Sequence, residues 1–473
     1  MKYEVVAGLE VHIELATASK LFCSCSTKFG AGANENVCPA CAGMPGMPAV
    51  LNKKAVELGI AAALVTNSEI TRIMTFDKKN YFYPDLPASY QITQWFSPIC
   101  RNGWVEIETE AGKKRITLKQ IHIEEDAGKL VHDPRTGTTL VDFNRTSVPL
   151  VEIVSNPDFR SAEEVTAYLE KLRSLLSFAG VSLCRMEEGS MRCDVNISVR
   201  EAGSEKLGTR TEIKNMNSLK AITAAFAYES QRHIDALETG KEVLIQETRR
   251  WDDNLGETFS MREKENATDY RYFPNPELMP VHISDEWINA VRSGLPEMAQ
   301  EKYERMTVQL RLPEDDSRVI TGSKNLSDIF DKTVACYNNP REVMNWILVE
   351  LLAVAGDNDI NIDCGKFARL IELVNSNTIN RTVGKNLLVK VIDEGIDPAA
   401  YVEDNKLGMV SDSDVIDNAV RKVLSENEES VADYKNGNQK VIGFFVGKIM
   451  KILSGKADPK IVNERLLHWL SQS

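Results

Sequence analysis

The chain has 473 residues, nine cysteines, 43% hydrophobic and 26% charged residues, and a net charge of −13. That length exceeds one core and predicts roughly two to four domains. The acid excess argues against a surface that coats nucleic acid along its whole length, the scattered odd cysteines argue against a secreted disulfide framework, and no apolar run is long enough for a membrane helix.

The start, MKYEVVAGLEV, is strand-like and unlike a signal peptide, so a cytoplasmic location is expected. Residues 8–15, GLEVHIEL, read as a strand with Glu10, His12 and Glu14 on one face and Leu9, Val11, Ile13 and Leu15 on the other. Acid, imidazole and acid in one rigid row form a candidate divalent-cation site; a solvated strand face is the bland alternative. Next come Cys23-Ser24-Cys25 and Cys38-Pro39-Ala40-Cys41, separated by twelve residues. Four thiolates at this spacing close a tetrahedral shell, which predicts a structural zinc knuckle over 23–41. A redox-active CxxC pair is the rival, and it leaves the CxC unexplained.

A helix is expected after Asn52, with Val56, Ile60 and Leu64 on one stripe. Residues 78–87, KKNYFYPDLP, combine two bases, three aromatics and two prolines, suited either to stacking a base and clamping a phosphate or simply to packing. His122-Ile123-Glu124-Glu125-Asp126 is the densest ligand set in the chain. Strict alternation groups His122, Glu124 and Asp126 and aims Glu125 away, unless a bulge reverses it; an exposed charged turn is the alternative.

A second helix is expected from Ser161, in a capping box with Glu164, to Gly180, and a third from Ser218 to Gly240 with Leu219, Ile222, Phe226, Ile234 and Leu237 inward. Between them, strand 192–200 places Arg192, Asp194 and Asn196 on one face, and strand 209–214 aligns Arg210, Glu212 and Lys214. Carboxylates interleaved with bases suit a magnesium–nucleotide site, although no GxxxxGK(S/T) loop is present. Mixed strands and helices over the first 290 or so residues read as one α+β domain. The proline-rich stretch 274–281 suits a domain exit, after which the pattern turns helical, with a second break near 411–414. The expected domains are therefore 1–292, 293–410 and 411–473. Residues 435–473 carry seven Lys or Arg against two acids, making the tail the candidate polyanion contact.

Several long stretches together resemble the B subunit of the glutamyl/aspartyl-tRNA amidotransferases: GLEVHIEL, KKNYFYPDLPASYQITQ, HIEEDAGK, DFNRTSVPLVEIVSNPD, EEGSMRCDVNISVR, GTRTEIKNMNS, QETRRWDDNLGETFSMREKENATDYRYFP and GFFVGKIMKILSGKADPKIVNE. The resemblance covers essentially the whole chain. It implies a cradle domain related to the glutamine synthetase fold, then a helical domain and a tRNA-binding tail. It implies ATP- and Mg2+-dependent phosphorylation of the side-chain carboxylate of Glu on tRNA(Gln) or Asp on tRNA(Asn). Ammonia from a glutamine-hydrolysing amidase subunit then forms the amide, within a heterotrimer that includes a small third subunit.

On that resemblance, Glu10, His12, Glu124 and Glu125 take the magnesium role, with Asp194 and Glu212 as further ligands. Lys79, Arg192, Arg210 and Lys214 become phosphate contacts, and Glu125, Arg192 and Lys79 the catalytic set. Gly443, Gly447, Lys448, Lys451, Gly455 and Lys456 match the tail signature, where glycines allow close RNA approach and lysines meet phosphates; a solvated helix face is the alternative. Three departures from the family stand out: Glu14 where Gln is usual, Ala88-Ser89 where a basic residue and glycine are usual, and Asn156 where an acid is usual. A non-catalytic tRNA scaffold and a free-standing ammonia ligase are the competing readings.

Overall fold

The computed structural model describes residues 2–263, 270–356, 360–409, 413–435, 437–453 and 457–472. The chain divides into two compact units, Met1–Ala299 and Gln300–Ser473.

The first unit contains sixteen described strands. They are β1 (Tyr3–Glu14), β2 (Glu69–Ile70), β3 (Ile73–Met74), β4 (Asp77–Asn80), β5 (Tyr90–Thr93), β6 (Cys100–Thr109), β7 (Gly112–Glu125) and β8 (Lys129–Asp133). They continue as β9 (Thr138–Asp142), β10 (Pro149–Ser155), β11 (Met191–Glu201), β12 (Thr211–Lys214), β13 (Glu247–Asp252), β14 (Glu257–Glu263), β15 (Phe273–Pro274) and β16 (Val281–His282). Nine of these form one sheet in the order β14-β13-β12-β11-β1-β10-β7-β6-β2, antiparallel except for the β12–β13 pair. β1 is thus central, between β11 and β10.

Alternation decides which side of the sheet is which. Leu9, Val11, Ile13, Ile121, Ile123, Val151, Ile153, Cys193, Val195 and Ile197 are buried in one core together with residues of three helices. Those helices are α1 (Lys53–Val65), α2 (Ala162–Phe178) and α3 (Leu219–Thr239). Each buried Val, Leu or Ile side chain contributes roughly 1.5–3 kcal/mol, enough together to hold a costly polar surface on the opposite face. The helix starts are set by side-chain caps: Asn52 accepts from Lys54 N, Ser161 from Glu164 N and Ser218 from Ala221 N. Gly240 closes α3 at φ +62°, a conformation glycine adopts without steric cost.

One expectation for α3 is corrected. Its inward stripe is Ile222, Ala225, Phe226, Glu229, His233 and Ala236, and Leu237 is exposed. Steps of three and four residues run cleanly through Glu229 and His233, so a polar pair lies inward and Leu237 falls off the stripe. That pair meets Arg232, Arg249 and Thr258, which supply its hydrogen bonds and counter-charges.

A smaller sheet, β15-β4-β5, forms a hairpin that lies against the end of β7: Ile92 N donates to Glu125 Oε1 at 2.9 Å and Thr93 Oγ1 to Glu124 Oε2 at 3.0 Å. The second unit is helical among its described residues and contains two separate hydrophobic cores, one drawn from residues 306–402 and one from 416–470. The chain is therefore α+β with a helical C-terminal part, as its sequence predicts. No described helix is long and apolar enough to cross a membrane.

Candidate active site and zinc knuckle

The polar face of the sheet is assembled by strand register. Arg192, His12, Glu152 and His122 stand directly opposite one another across β11, β1, β10 and β7. One step along, Asp194 faces Glu10, and Asn196 faces Glu212 of β12. Two ligand groups result, His12–Glu124–Glu152 and Glu10–Asp194–Glu212, each with its donor atoms within 4.8 Å of one another. His12 Nε2 lies 3.6 Å from both Glu124 Oε1 and Glu152 Oε2, and His122 Nε2 is 3.8 Å from Glu152 Oε1.

Electrostatics follow from this crowding. Burial works against a charged His12, but its hydrogen bond and ion pair with Glu152, helped by Glu124, raise it to about 9. Glu152 is also opposed by burial, yet His122 and His12 hold it well below the usual carboxylate range. Lys214 pairs with Asp194 and, at 3.5 Å, with Glu212; these acids outweigh burial and raise its affinity for its proton. Thr248 Oγ1 donates to Glu212 Oε2 at 2.7 Å and Asn196 Nδ2 to Glu10 Oε1 at 3.0 Å, orienting both acids. Five carboxylates and an imidazole in two compact sets suit hard divalent cations with water completing the shell. Both ring nitrogens of buried His122 lack a hydrogen-bond partner among the described residues, so this wall has donor capacity to spare.

Aromatic side chains cover the acids. Lys79 Nζ sits 5.2 Å from the Tyr81 ring centre and 4.9 Å from that of Tyr270, and Trp95 stacks on Tyr272 at 4.4 Å. Tyr81 and Tyr272 are held protonated by burial first and then by Glu124 and Glu152 respectively.

Most predicted residues converge here: Glu10, His12, Glu124, Asp194, Glu212, Lys79 and Lys214. Arg192 lies at the edge and binds Asp126 at 2.7 Å; Asp126 also takes Arg145 at 3.3 Å. Glu14, on the same face of β1, keeps this second company, and burial together with Asp126 raises it to about 7. Arg210 precedes β12 and is exposed.

Glu125 is not brought together with Glu124. The β7–β10 register runs without a bulge through Leu150↔Glu124 and Pro149↔Glu125, so Glu125 has the parity of the core face. It is half-buried behind the hairpin, and desolvation there pushes it up to about 7. It borders a cavity of about 240 Å³ shared with Phe22, Cys41, Gly43, Met47 and Ser147.

Sequence reasoning misses Glu152, although the signal is present. PLVEIVS alternates as GLEVHIEL does, with Val151 and Ile153 inward and Glu152 outward. It misses the covering Tyr270, Tyr272 and Trp95 as well, and nothing local marks them.

Cys23, Cys25, Cys38 and Cys41 place their sulfurs within 4.8 Å of one another. Cys38 and Cys41 Sγ are 3.9 Å apart, close to the spacing of about 3.8 Å that tetrahedral zinc–sulfur bonds of about 2.3 Å impose. The residues fit zinc. Without a metal, the hydrogen bond between Cys23 and Cys41 pushes Cys41 down and Cys23 up, and Lys20 nearby also favours the Cys41 thiolate. Gly43, at φ +66°, closes the knuckle where an added Cβ would meet the Pro87 carbonyl carbon at 2.9 Å. Ser89 nearby sits at φ +62°, which explains the glycine usual there in the resembled family. Asn156 donates to Thr117 Oγ1 at 2.8 Å, and its neighbour Asp158 accepts from the same hydroxyl at 2.6 Å.

Gly443, Gly447, Lys448 and Lys451 lie on the helix Val441–Ile452, and the two glycines have open space where a Cβ would be. Gly455 and Lys456 lie outside the described residues.

The strands that build this face lie in a catalytic domain of defined class: the model of the GatB/GatE catalytic domain matches residues 5–289, and that of the GatB domain matches 328–470. Full-length relatives agree. The aspartyl/glutamyl-tRNA(Asn/Gln) amidotransferase B subunit of Lachnoclostridium phytofermentans is 53% identical over 100% of this chain and 99% of its own length. Those of Caldicellulosiruptor bescii and Thermodesulfovibrio yellowstonii are 49% and 48% identical, each covering 100% of both chains. The chain belongs to the family of amidotransferase B subunits, a ligase-type family.

Proposed function

We propose that the acidic face activates a carboxylate on misacylated tRNA with ATP and magnesium. The side chain of Glu on tRNA(Gln), of Asp on tRNA(Asn), or of both is phosphorylated, and ammonia displaces the phosphate to leave the amide. The observation that carries this reading is the pair of cation-sized ligand groups on one sheet face, bordered by Lys79, Arg192 and Lys214. A carboxylate is a poor acyl donor until one oxygen becomes a leaving group, so activation precedes amide formation.

His12, Glu124 and Glu152, and Glu10, Asp194 and Glu212, would hold magnesium, with His12 giving up the proton that Glu152 and Glu124 otherwise favour, and the metal would supply charge neutralisation for a phosphoryl group. Lys79 extends from the hairpin between two tyrosine rings, while Arg192 and Lys214 flank the acids from β11 and β12; these cations receive transferred phosphoryl oxygens. Arg210 serves a phosphate farther out. Glu125, turned to the other side of β7, where it accepts from Ile92 N, takes no part in this chemistry. The relatives' names, each a B subunit of an aspartyl/glutamyl-tRNA amidotransferase, support a multi-subunit complex; in this reading the other members are a glutamine-hydrolysing amidase and a small third subunit. The knuckle binds structural zinc, the exposed face of helix Val441–Ile452 contacts tRNA, and the complex works in the cytoplasm.

The decisive assay gives the purified complex glutamine, ATP and each misacylated tRNA in turn. Glu152→Gln and Glu10→Gln should each lower ATP-dependent amide formation roughly 100-fold or more while tRNA affinity is unchanged. Parental activity in both variants would reject the site and leave a tRNA scaffold.

A further inference from the structure

Lys20 is fully buried, and its ammonium is accounted for in an unusual way. Its Nζ donates to Cys41 Sγ at 3.5 Å and to the Phe143 carbonyl at 3.1 Å, and among the described residues it forms no ion pair with a carboxylate. Its backbone is fixed on both sides: Lys20 N donates to Cys25 O at 3.0 Å, and its carbonyl accepts from Asn52 Nδ2 at 3.2 Å. An isolated ammonium withdrawn from water costs several kcal/mol unless an opposite charge meets it. Zinc bound by four thiolates carries a formal charge of about −2, which is equally costly to bury alone. Each charge therefore answers the other.

We propose that Lys20 is the counter-cation of the Cys23–Cys25–Cys38–Cys41 centre and the strut that ties it to the Phe143 segment. This rests on the zinc reading above. Cys41 is the anchoring sulfur, since it receives both Lys20 Nζ and the backbone N–H of Cys38, at 3.2 Å. Hydrogen bonds to a metal-bound thiolate withdraw charge, orient the ligand and slow metal loss. The second arm has a destination as well. Phe143 leads into Arg145, which binds Asp126 at 3.3 Å, and then into β10, which carries Glu152. Leu21 N, next to Lys20, donates to Ser147 O at 2.8 Å and joins the same segment. Lys20 is thus a positioning residue for the loop that enters the acidic face, and it touches no reacting atom.

The test uses the full chain in its complex and reads zinc rather than activity. Metal content is measured first, then the rate of zinc transfer to a chromogenic chelator. Lys20→Met should release zinc about 10-fold faster or more, while Lys20→Arg, which keeps the charge, should stay within about threefold of the parent. Parental zinc with unchanged release from Lys20→Met overturns the Lys20 proposal alone; a parent without zinc overturns the zinc reading and this proposal with it. Should Lys20→Met fail to fold, amide hydrogen exchange on the unaltered chain decides. Stripping zinc should speed exchange across residues 143–148, and unchanged protection there overturns the strut.

Discussion

Glu229 and His233 are both 0% exposed, and they show what desolvation does to single groups. His233 Nε2 lies 2.9 Å from Thr211 Oγ1, and burial followed by the charge of Arg232 lowers its pKa to about 4. The sign follows from linkage. Between about 4 and 6.5 the unfolded chain binds a proton that the folded chain refuses, so stability falls as pH drops through that window. The shift is worth on the order of 3 kcal/mol. Urea titrations of the parent and of His233→Gln at pH 7 and pH 4.5 should show a larger loss in the parent. Equal losses would mean that His233 is already charged when folded. Glu14 carries the same lesson at the site: it shares the strand face of Glu10 and His12, yet its neighbours are Asp126, Arg192 and Arg145. Its departure from the usual Gln adds a group of raised pKa beside Asp126, Arg192 and Arg145, apart from the two carboxylate groups. Glu14→Gln should leave magnesium dependence intact and shift activity less than about threefold near neutral pH.

At the scale of elements, α3 is held to the sheet by charge as well as by Ile222 and Phe226. Glu229 pairs with Arg232 at 2.9 Å and Arg249 at 3.1 Å, and Arg249 in turn binds Glu247 at 2.8 Å. Removing one member leaves buried guanidinium groups undercompensated, so Glu229→Gln should cost about 3 kcal/mol, read as a lower urea midpoint. A cost below about 1 kcal/mol would show the pair to be solvent-relaxed. β1 shows the complementary case of apolar support. Ile13 is fully buried beneath the acidic row, and Ile13→Ala should destabilise by about 2–5 kcal/mol while the facing register of Glu10 and His12 survives in the folded fraction. Such a variant would lose thermal stability well before it loses magnesium-dependent activity per folded molecule.

Over the whole molecule, charge is segregated: residues 435–473 stand at seven bases to two acids in a chain of net −13. Lys440, Gly443, Phe444, Gly447, Lys448 and Lys451 fall at helical spacing, and all are exposed. Lys440→Glu combined with Lys451→Glu should weaken tRNA binding and flatten its dependence on salt by roughly two phosphate contacts, measured as the slope of log affinity against log salt. An unchanged slope would move the RNA contact elsewhere. Charge reversal is preferable to truncation after 435, because Phe445, Ile449, Val462 and Leu466 share a core with Ile416 and Val420.

How much of this was legible in the chain depends on the range of the interaction concerned. Alternation, capping and cysteine spacing act between near neighbours, so the β1 face, the starts of α1, α2 and α3, and the four-sulfur knuckle could all be read directly. The polarity of the α3 stripe could not, because hydrophobic count favoured Leu237, whereas packing against Arg249 and Thr258 turned Glu229 and His233 inward. By itself the sequence determined which face of each strand the acids and bases take, Glu10 and His12 on one side of β1 and Glu124 and Glu125 on opposite sides of β7, since side-chain alternation is a property of the local backbone. Only the tertiary structure decided the grouping. Strand order set β10 beside β1 and so made Glu152 the third partner of His12 and Glu124. Burial drove Lys20 onto Cys41. Those outcomes depend on pairing between distant segments, which no local pattern encodes.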